Sequence, residues 1–173
     1  MEAEQNKKPI WARVIDGISE ISGYLGGIAI FASTLIIVYQ VIVRSFFNVP
    51  TVWQTELSIY LLMFATFVGA TYGLKHNSHV GVDVIIERLP KRGQSILRIF
   101  TSLLCVIFTV VLSWKAWELW WEVTENGWHS STLWGPPLTF PYFILPLGMT
   151  FVTLQFIVLI YEEFVKLKNI NQT

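Results

Sequence analysis

Three polar residues in the middle of the chain, His79, Asp83 and Glu87, have the i, i+4, i+8 spacing that places side chains on one face of a helix. One imidazole and two carboxylates could in principle bind a metal ion, but without a further His or Cys within 79–89 they are a weak metal signal. The pattern therefore favours the solvated polar face of an amphipathic helix over about 79–89, with apolar residues opposite and Pro90 after it. We expect no metal site here.

A second set of charged residues, Glu118, Glu122 and Glu125, forms a helical stripe beside a stripe of three tryptophans. Such a stripe is typical of a wet helix face. It could also meet a basic patch on a soluble partner, because complementary charges steer association.

Arg44, Trp53 and Glu56 form a third polar cluster between two long apolar runs. One interpretation is an Arg44–Glu56 ion pair that closes a short hairpin. The other is a contact with a partner outside this chain, since exposed ion pairs contribute little stability.

Catalytic patterns are missing from the sequence. We find no Ser/His/Asp arrangement, phosphate-binding loop or zinc pattern, and the single Cys105 excludes an internal disulfide or a CxxC pair. The 3 histidines lie outside the apolar runs, which argues against bis-histidine haem within a helix bundle. A formal net charge of zero gives no case for nucleic acid. We therefore expect neither an enzyme nor a cofactor.

The elements that position these residues are set by four stretches without any Asp, Glu, Lys, Arg or His. A charge in mid-bilayer costs roughly 2.5–3.5 kcal/mol on insertion scales, so uncharged apolar runs of this length indicate membrane spans. The charge-free runs are Ile21–Val43, Leu57–Leu74, Ile99–Trp114 and Leu138–Tyr161. We predict an all-α integral membrane domain over 1–173, with spans at about 21–43, 57–74, 96–117 and 140–161.

Local patterns refine this layout. Residues 10–20 form an amphipathic helix that leads into the first span and should lie in the interface. Thr51 and Gln54 match a capping box at the start of the second span. The third helix should continue to about Glu125, and Pro146 should kink the fourth.

Lys and Arg set the expected orientation. Ten of the 12 lie before the first span, between the second and third, or after the fourth, and only Arg44 and Lys115 lie on the other side. The positive-inside rule then places both termini in the cytoplasm of a multi-pass protein.

Small residues recur at four-residue spacing in the first two spans. Gly23 and Gly27 form one such pair, and Ala65, Gly69 and Gly73 form another series. Small faces let helix backbones approach closely in lipid. They could pack these two spans together, or dock a second membrane protein.

The stretch from Arg44 to Pro90 resembles the small membrane (Q, DctQ-like) subunit of tripartite ATP-independent periplasmic (TRAP) transporters. That family has an Arg closing the first span, a W-x-E-E-like start to the second, a Gly-Ala pair, a His, an Asp and then Leu-Pro. The matching residues here are Arg44, Trp53-Gln-Thr-Glu56, Gly69-Ala70, His79, Asp83 and Leu89-Pro90. The first acidic position of the family's motif is Thr55 in this sequence.

The resemblance implies an accessory scaffold in the bacterial inner membrane. In that family a soluble periplasmic protein captures an organic-acid anion, and a large M subunit carries it with sodium ions. The Q subunit packs against M and helps to dock the binding protein. Overall likeness favours a sialic-acid type over a C4-dicarboxylate type.

Two other hypotheses stay open at this point. A self-assembling small channel or carrier would need a polar path lined by Thr34, Gln40, Thr66, Thr71, Thr109, Thr150 and Gln155. A membrane enzyme or electron-transfer subunit would instead carry a chromophore.

Overall fold

Four helices make up the fold of the described chain. A computed structural model describes residues 9–47, 50–76 and 90–170. The helices are α1 (Ile10–Phe47), α2 (Val52–Lys75), α3 (Lys91–Glu125) and α4 (Thr139–Ile170). Each is long and apolar enough to cross a membrane, which confirms the predicted all-α, four-span fold class.

The helices pack as an open row in the order α1, α2, α4, α3. Extensive contacts join α1 to α2, α2 to α4 and α4 to α3, whereas α1 touches α4 only slightly. The outermost helices α1 and α3 make at most marginal contact within the described chain. Both therefore leave a broad apolar face that faces lipid or another protein.

The row has two polar ends. The loop end holds the last turns of α1 and α3, the first turns of α2 and α4, and residues 126–138. The terminal end holds the first turns of α1 and α3 and the last turns of α2 and α4.

Helix α1 is one continuous helix of 38 residues, about 57 Å long at 1.5 Å per residue. The amphipathic segment predicted at 10–20 is therefore its first part and not a separate element. Its small and polar residues are buried, among them Ala12, Asp16, Ser19 and Ser22, while Ile10, Trp11, Val14 and Ile21 are exposed. This inverted pattern is what lipid favours, because small residues pack helices closely and apolar side chains meet the acyl chains. The second predicted interfacial helix, 79–89, lies outside the described residues.

Glycines allow two close approaches between helices. A Cβ at Gly26 would lie 3.4 Å from the Gly69 Cα, so α1 and α2 meet backbone to backbone there. A Cβ at Gly148 would lie 2.7 Å from the backbone carbonyl carbon and oxygen of Phe67, so α4 lies directly on α2. Since any side chain at Gly148 would overlap backbone, this contact fixes the centre of the row.

Helix boundaries follow the sequence signals with one exception. Helix α3 ends at Glu125, as Gly127 predicts. Helix α4 continues through Pro146, which is buried. The predicted capping box is wrong: α2 begins after Thr51, but the Thr51 side chain makes no capping hydrogen bond. Gln54 is buried in the row, and its Oε1 accepts no hydrogen bond from the described residues.

Candidate functional site

Glu56 is the central polar side chain of the loop end. It lies on the first turns of α2 and is only 7% exposed. Its carboxylate accepts hydrogen bonds from the Tyr60 hydroxyl (2.6 Å, Oε1) and the Thr132 hydroxyl (2.7 Å, Oε2). The Thr132 bond spans 76 residues of sequence and ties the loop after α3 to the start of α2. Glu56 thus holds the loop over the end of the row.

Arg44 does not pair with Glu56, so the hairpin ion pair proposed above is wrong. Arg44 is exposed on the last turns of α1, and no hydrogen bond or ion pair joins it to another described residue. The two helices are bridged nearby by Gln40, whose Nε2 donates to Thr55 Oγ1 at 2.7 Å. The Arg44 guanidinium is therefore available to a group outside this chain.

The loop of residues 126–138 folds back on itself as a short hairpin. Backbone hydrogen bonds join Ser130 N to Pro136 O (3.0 Å) and Leu138 N to Trp128 O (2.9 Å). Positive φ angles at Gly127 (58°) and Gly135 (57°) make its two bends. Its tip is apolar: Leu133 is 94% exposed, next to Trp134 at 46%. The loop thus presents a fixed apolar tip beside Glu56.

The predicted acidic and aromatic stripes lie on the last turns of α3. Glu118, Glu122 and Glu125 are all exposed, and Lys115 Nζ reaches Glu118 Oε2 at 2.7 Å. Four tryptophans with Lys115 and Glu118 line a groove of about 710 Å³ on this surface. Trp117 is anchored, since its Nε1 donates to Thr150 Oγ1 at 3.2 Å. Trp53 is also exposed at this end, at 43%.

A polar clamp holds the first turns of α1 at the terminal end. Gln155 of α4 is 1% exposed; its Oε1 accepts from Ser19 Oγ at 2.6 Å, and its Nε2 donates to Asp16 Oδ1 at 3.2 Å. From α2, Lys75 Nζ donates to Glu20 Oε1 at 2.6 Å and to the Asp16 backbone oxygen at 3.1 Å. Helices α1, α2 and α4 are thus joined around one buried carboxylate.

This clamp was missed in the sequence. The charge-free run of span one starts at Ile21, so Asp16 and Glu20 were assigned to the interface. Asp16 is instead buried at the terminal end of the row, where its carboxylate is bonded to Gln155 of α4. The polar arc of the amphipathic segment 10–20 was the only sequence signal for this clamp. Its partner on α4, Gln155, is uncharged and far along the chain, so the sequence pattern did not reveal the contact.

The glycine stripes are only partly used inside this chain. Gly26 and Gly69 meet each other, and Gly23 lies under the Tyr72 ring. A Cβ added at Gly17, Gly27 or Gly73 would have no neighbour within 4 Å. The α1–α2 contact therefore uses Gly26 and not the predicted Gly27, and Gly73 lies open beside it.

The polar residues of the channel hypothesis are already hydrogen-bonded within the chain. The hydroxyls of Thr34, Thr66, Thr71, Thr109 and Thr150 donate to backbone oxygens of their own helices. Gln40 and Gln155 bond to Thr55 and Asp16. These contacts give no support to a polar path between copies.

Two candidate residues, His79 and Asp83, lie outside the described residues. Among residues 9–47, 50–76 and 90–170, no group of three His, Cys, Asp or Glu side chains could hold a metal ion. The arrangement can hold its own helices and present two polar ends to partners. Nothing in the described middle of the helices offers a charged group to a passing ion.

A family model matches most of the chain. Its description is "Tripartite ATP-independent periplasmic transporters, DctQ component", and the match covers residues 33–166. This range includes the last part of α1, all of α2 and α3, and most of α4.

Curated relatives agree with that match. The C4-dicarboxylate TRAP transporter small permease protein DctQ of Vibrio cholerae is 26% identical over 173 residues, covering 88% of this chain and 75% of the relative. The sialic acid TRAP transporter small permease protein SiaQ of Vibrio cholerae is 28% identical over 83 residues, covering 47% of this chain and 46% of the relative. The sialic acid TRAP transporter permease protein SiaT of Haemophilus influenzae is 24% identical over 90 residues, covering 52% of this chain but 15% of the relative.

The family match therefore agrees with the fold, with the helices that lack mid-membrane charge and with the polar ends. The chain belongs to the DctQ component family of tripartite ATP-independent periplasmic transporters and is a small permease subunit of the DctQ/SiaQ type.

Proposed function

We propose that this subunit is an accessory scaffold of a sodium-coupled TRAP transporter for organic-acid anions. It packs against the large M subunit in the bacterial inner membrane and helps to dock the periplasmic binding protein. Substrate and sodium ions pass through the partner and not through this chain.

The observation that carries the proposal is the open row of helices without charge in mid-membrane. Carriers hold ionisable groups inside the bilayer as ion or proton sites. Here the described acidic and basic side chains gather at the two ends, and Asp16 is bonded into the α1–α2–α4 clamp. Because the outer helices α1 and α3 are uncovered on one side, the row has room to pack against a larger membrane protein as a scaffold.

The match to SiaT supports a large membrane partner. The region similar to this chain occupies 15% of that permease protein, so in that relative a Q-like segment belongs to a much longer chain. A segment fused to a permease in one organism is expected to bind the corresponding permease where the two are separate.

The loop end supplies the proposed docking surface for the binding protein. Arg44, Trp53 and the Glu118–Glu125 stripe are exposed there, and Glu56 fixes the adjacent loop. The charge asymmetry along the sequence supports an orientation with this end in the periplasm and both termini in the cytoplasm. Exposed charges of this kind change association rates and salt dependence more than stability.

Only the similar proteins give information about the substrate class. The C4-dicarboxylate relative covers 88% of this chain, against 47% for the sialic acid relative SiaQ. We therefore propose an organic-acid anion of one of these two types. Titrating the cognate binding protein with each anion distinguishes them.

The proposal is tested by reconstituting the cognate binding protein and M subunit with and without this chain. Uptake should require all three proteins and a sodium gradient, and this chain should co-purify with M. Sodium-driven uptake by this chain alone would overturn the scaffold function.

Arg44→Ala tests the docking surface. Because Arg44 has no partner among the described residues, the variant should insert and assemble normally but raise the binding-protein concentration needed for half-maximal uptake several-fold. Lys166→Ala is the matched control, since Lys166 is also an exposed cation but lies at the terminal end, away from the docking surface. Equal uptake curves for wild type and Arg44→Ala would remove Arg44 from the docking surface.

A further inference from the structure

A small polar pocket opens between α1 and α2 at the terminal end. It has a volume of about 220 Å³ and is lined by Arg13, Asp16, Gly17, Glu20 and Lys75. Since one water takes about 30 Å³ in the liquid, the pocket has room for several waters or for one small polar group. The docking surface at the loop end does not involve it.

The pocket lies at the end of the row that carries interfacial aromatic side chains. The rings of Trp11 and Tyr161 pack edge to face at this end, with their centroids 5.4 Å apart. Amphipathic rings of this kind concentrate at the membrane–water interface. Below the pocket, the side chains of Ile21 and Tyr24 are 61% and 74% exposed and continue the surface towards the bilayer.

The lining carries both signs of charge. Arg13 is exposed, and its side chain has no hydrogen bond or ion pair to a described residue. Lys75 uses its ammonium for Glu20 Oε1 and the Asp16 backbone oxygen, which leaves a third N–H. Glu20 Oε1 accepts a hydrogen bond from Lys75 Nζ and lies 3.0 Å from His76 Nε2. The other carboxylate oxygen, Oε2, accepts no hydrogen bond from the described chain.

We propose that this pocket binds the headgroup of a zwitterionic phospholipid, phosphatidylethanolamine. Arg13 and the third N–H of Lys75 hold the phosphate, since cationic N–H groups make short charge-assisted bonds to phosphate oxygens. The free oxygen of Glu20 accepts from the ammonium group. An anionic lipid such as phosphatidylglycerol offers no ammonium for this carboxylate, so it should bind less well.

Gly17 supplies a selective way to close the pocket. It is exposed, and a Cβ there would have no neighbour within 4 Å, so a larger side chain enters the pocket without displacing helix backbone. Gly27 offers the matched control: it lies on the same helix, is exposed, and is equally free of neighbours. Leucine at either position should be accepted by the helix.

The test is native mass spectrometry of the purified transporter complex after equilibration in nanodiscs that contain equal amounts of phosphatidylethanolamine and phosphatidylglycerol. Wild type and Gly27→Leu should retain phosphatidylethanolamine several-fold over phosphatidylglycerol. Gly17→Leu should abolish the retained lipid, and Arg13→Gln should reduce it several-fold.

Equal retention of the two lipids by wild type, or preference for phosphatidylglycerol, would overturn the zwitterionic assignment. Retention by Gly17→Leu that matches Gly27→Leu would show that the lipid lies elsewhere. Because lipid retention is read without transport, either result leaves the scaffold proposal untouched.

Discussion

The bond between Glu56 and Thr132 should hold the loop of residues 126–138 in place, and a double-mutant cycle can measure it. Glu56→Ala and Thr132→Val each remove one partner of the 2.7 Å hydrogen bond. A hydrogen bond to a charged group contributes about 1.5–3 kcal/mol, and we expect the lower value because Thr132 is exposed. At 1.36 kcal/mol per factor of ten, loss of about 1.5 kcal/mol opens the loop about tenfold more often.

Amide hydrogen exchange reports this opening directly. The amides of Ser130 and Leu138 are bonded within the loop hairpin, so both should exchange about tenfold faster in either single variant. The double variant should exchange less rapidly than the sum of the two single effects would give, because both changes break the bond between Glu56 and Thr132. Thr124→Val is a suitable control, since the Thr124 hydroxyl bonds only to its own helix. Additive effects of Glu56→Ala and Thr132→Val would refute the coupling between loop and helix.

Two further predictions concern packing. Gly148→Ala places a Cβ 2.7 Å from Phe67 backbone and should lose about 1–3 kcal/mol of stability relative to Gly73→Ala, where no atom lies within 4 Å, as measured by thermal unfolding in detergent. Equal melting temperatures would mean that α2 and α4 separate without cost. Gln155→Leu keeps the side-chain bulk but removes the hydrogen bonds to Asp16 and Ser19. It should lower the free energy of unfolding by about 1–3 kcal/mol in the same assay. An unchanged or higher melting temperature would show that the clamp does not stabilise the row.

The sequence predicted the helices themselves better than the contacts between side chains at their ends. Hydropathy predicted all four helices, because each lipid-crossing segment must satisfy its backbone internally and exclude charge over about 20 residues. The end of α3 at Glu125 was also predicted, since Gly127 supplies the positive φ that follows it. Such features depend on residues close together in the sequence.

The sequence did not predict which side chains of neighbouring elements would contact each other. Arg44 and Glu56 are near in sequence and opposite in charge, yet Glu56 bonds to Thr132 across 76 residues. Each residue turns a helix by about 100°, so the rotation of α1 and α2 decides which side chains meet. The same rotation selects Gly26 over Gly27 for the contact with Gly69.

Local sequence patterns were enough to predict four membrane-spanning helices, the lack of mid-membrane charge and the likeness to a TRAP small subunit. The order α1, α2, α4, α3 and the burial of Asp16 against Gln155 became visible only in the folded chain. Insertion is governed by the free energy of each segment in lipid, which is a sum over neighbouring residues. The packing of inserted helices depends on small surfaces and a few polar contacts between distant residues, so only their arrangement in space reveals which groups remain free for partners.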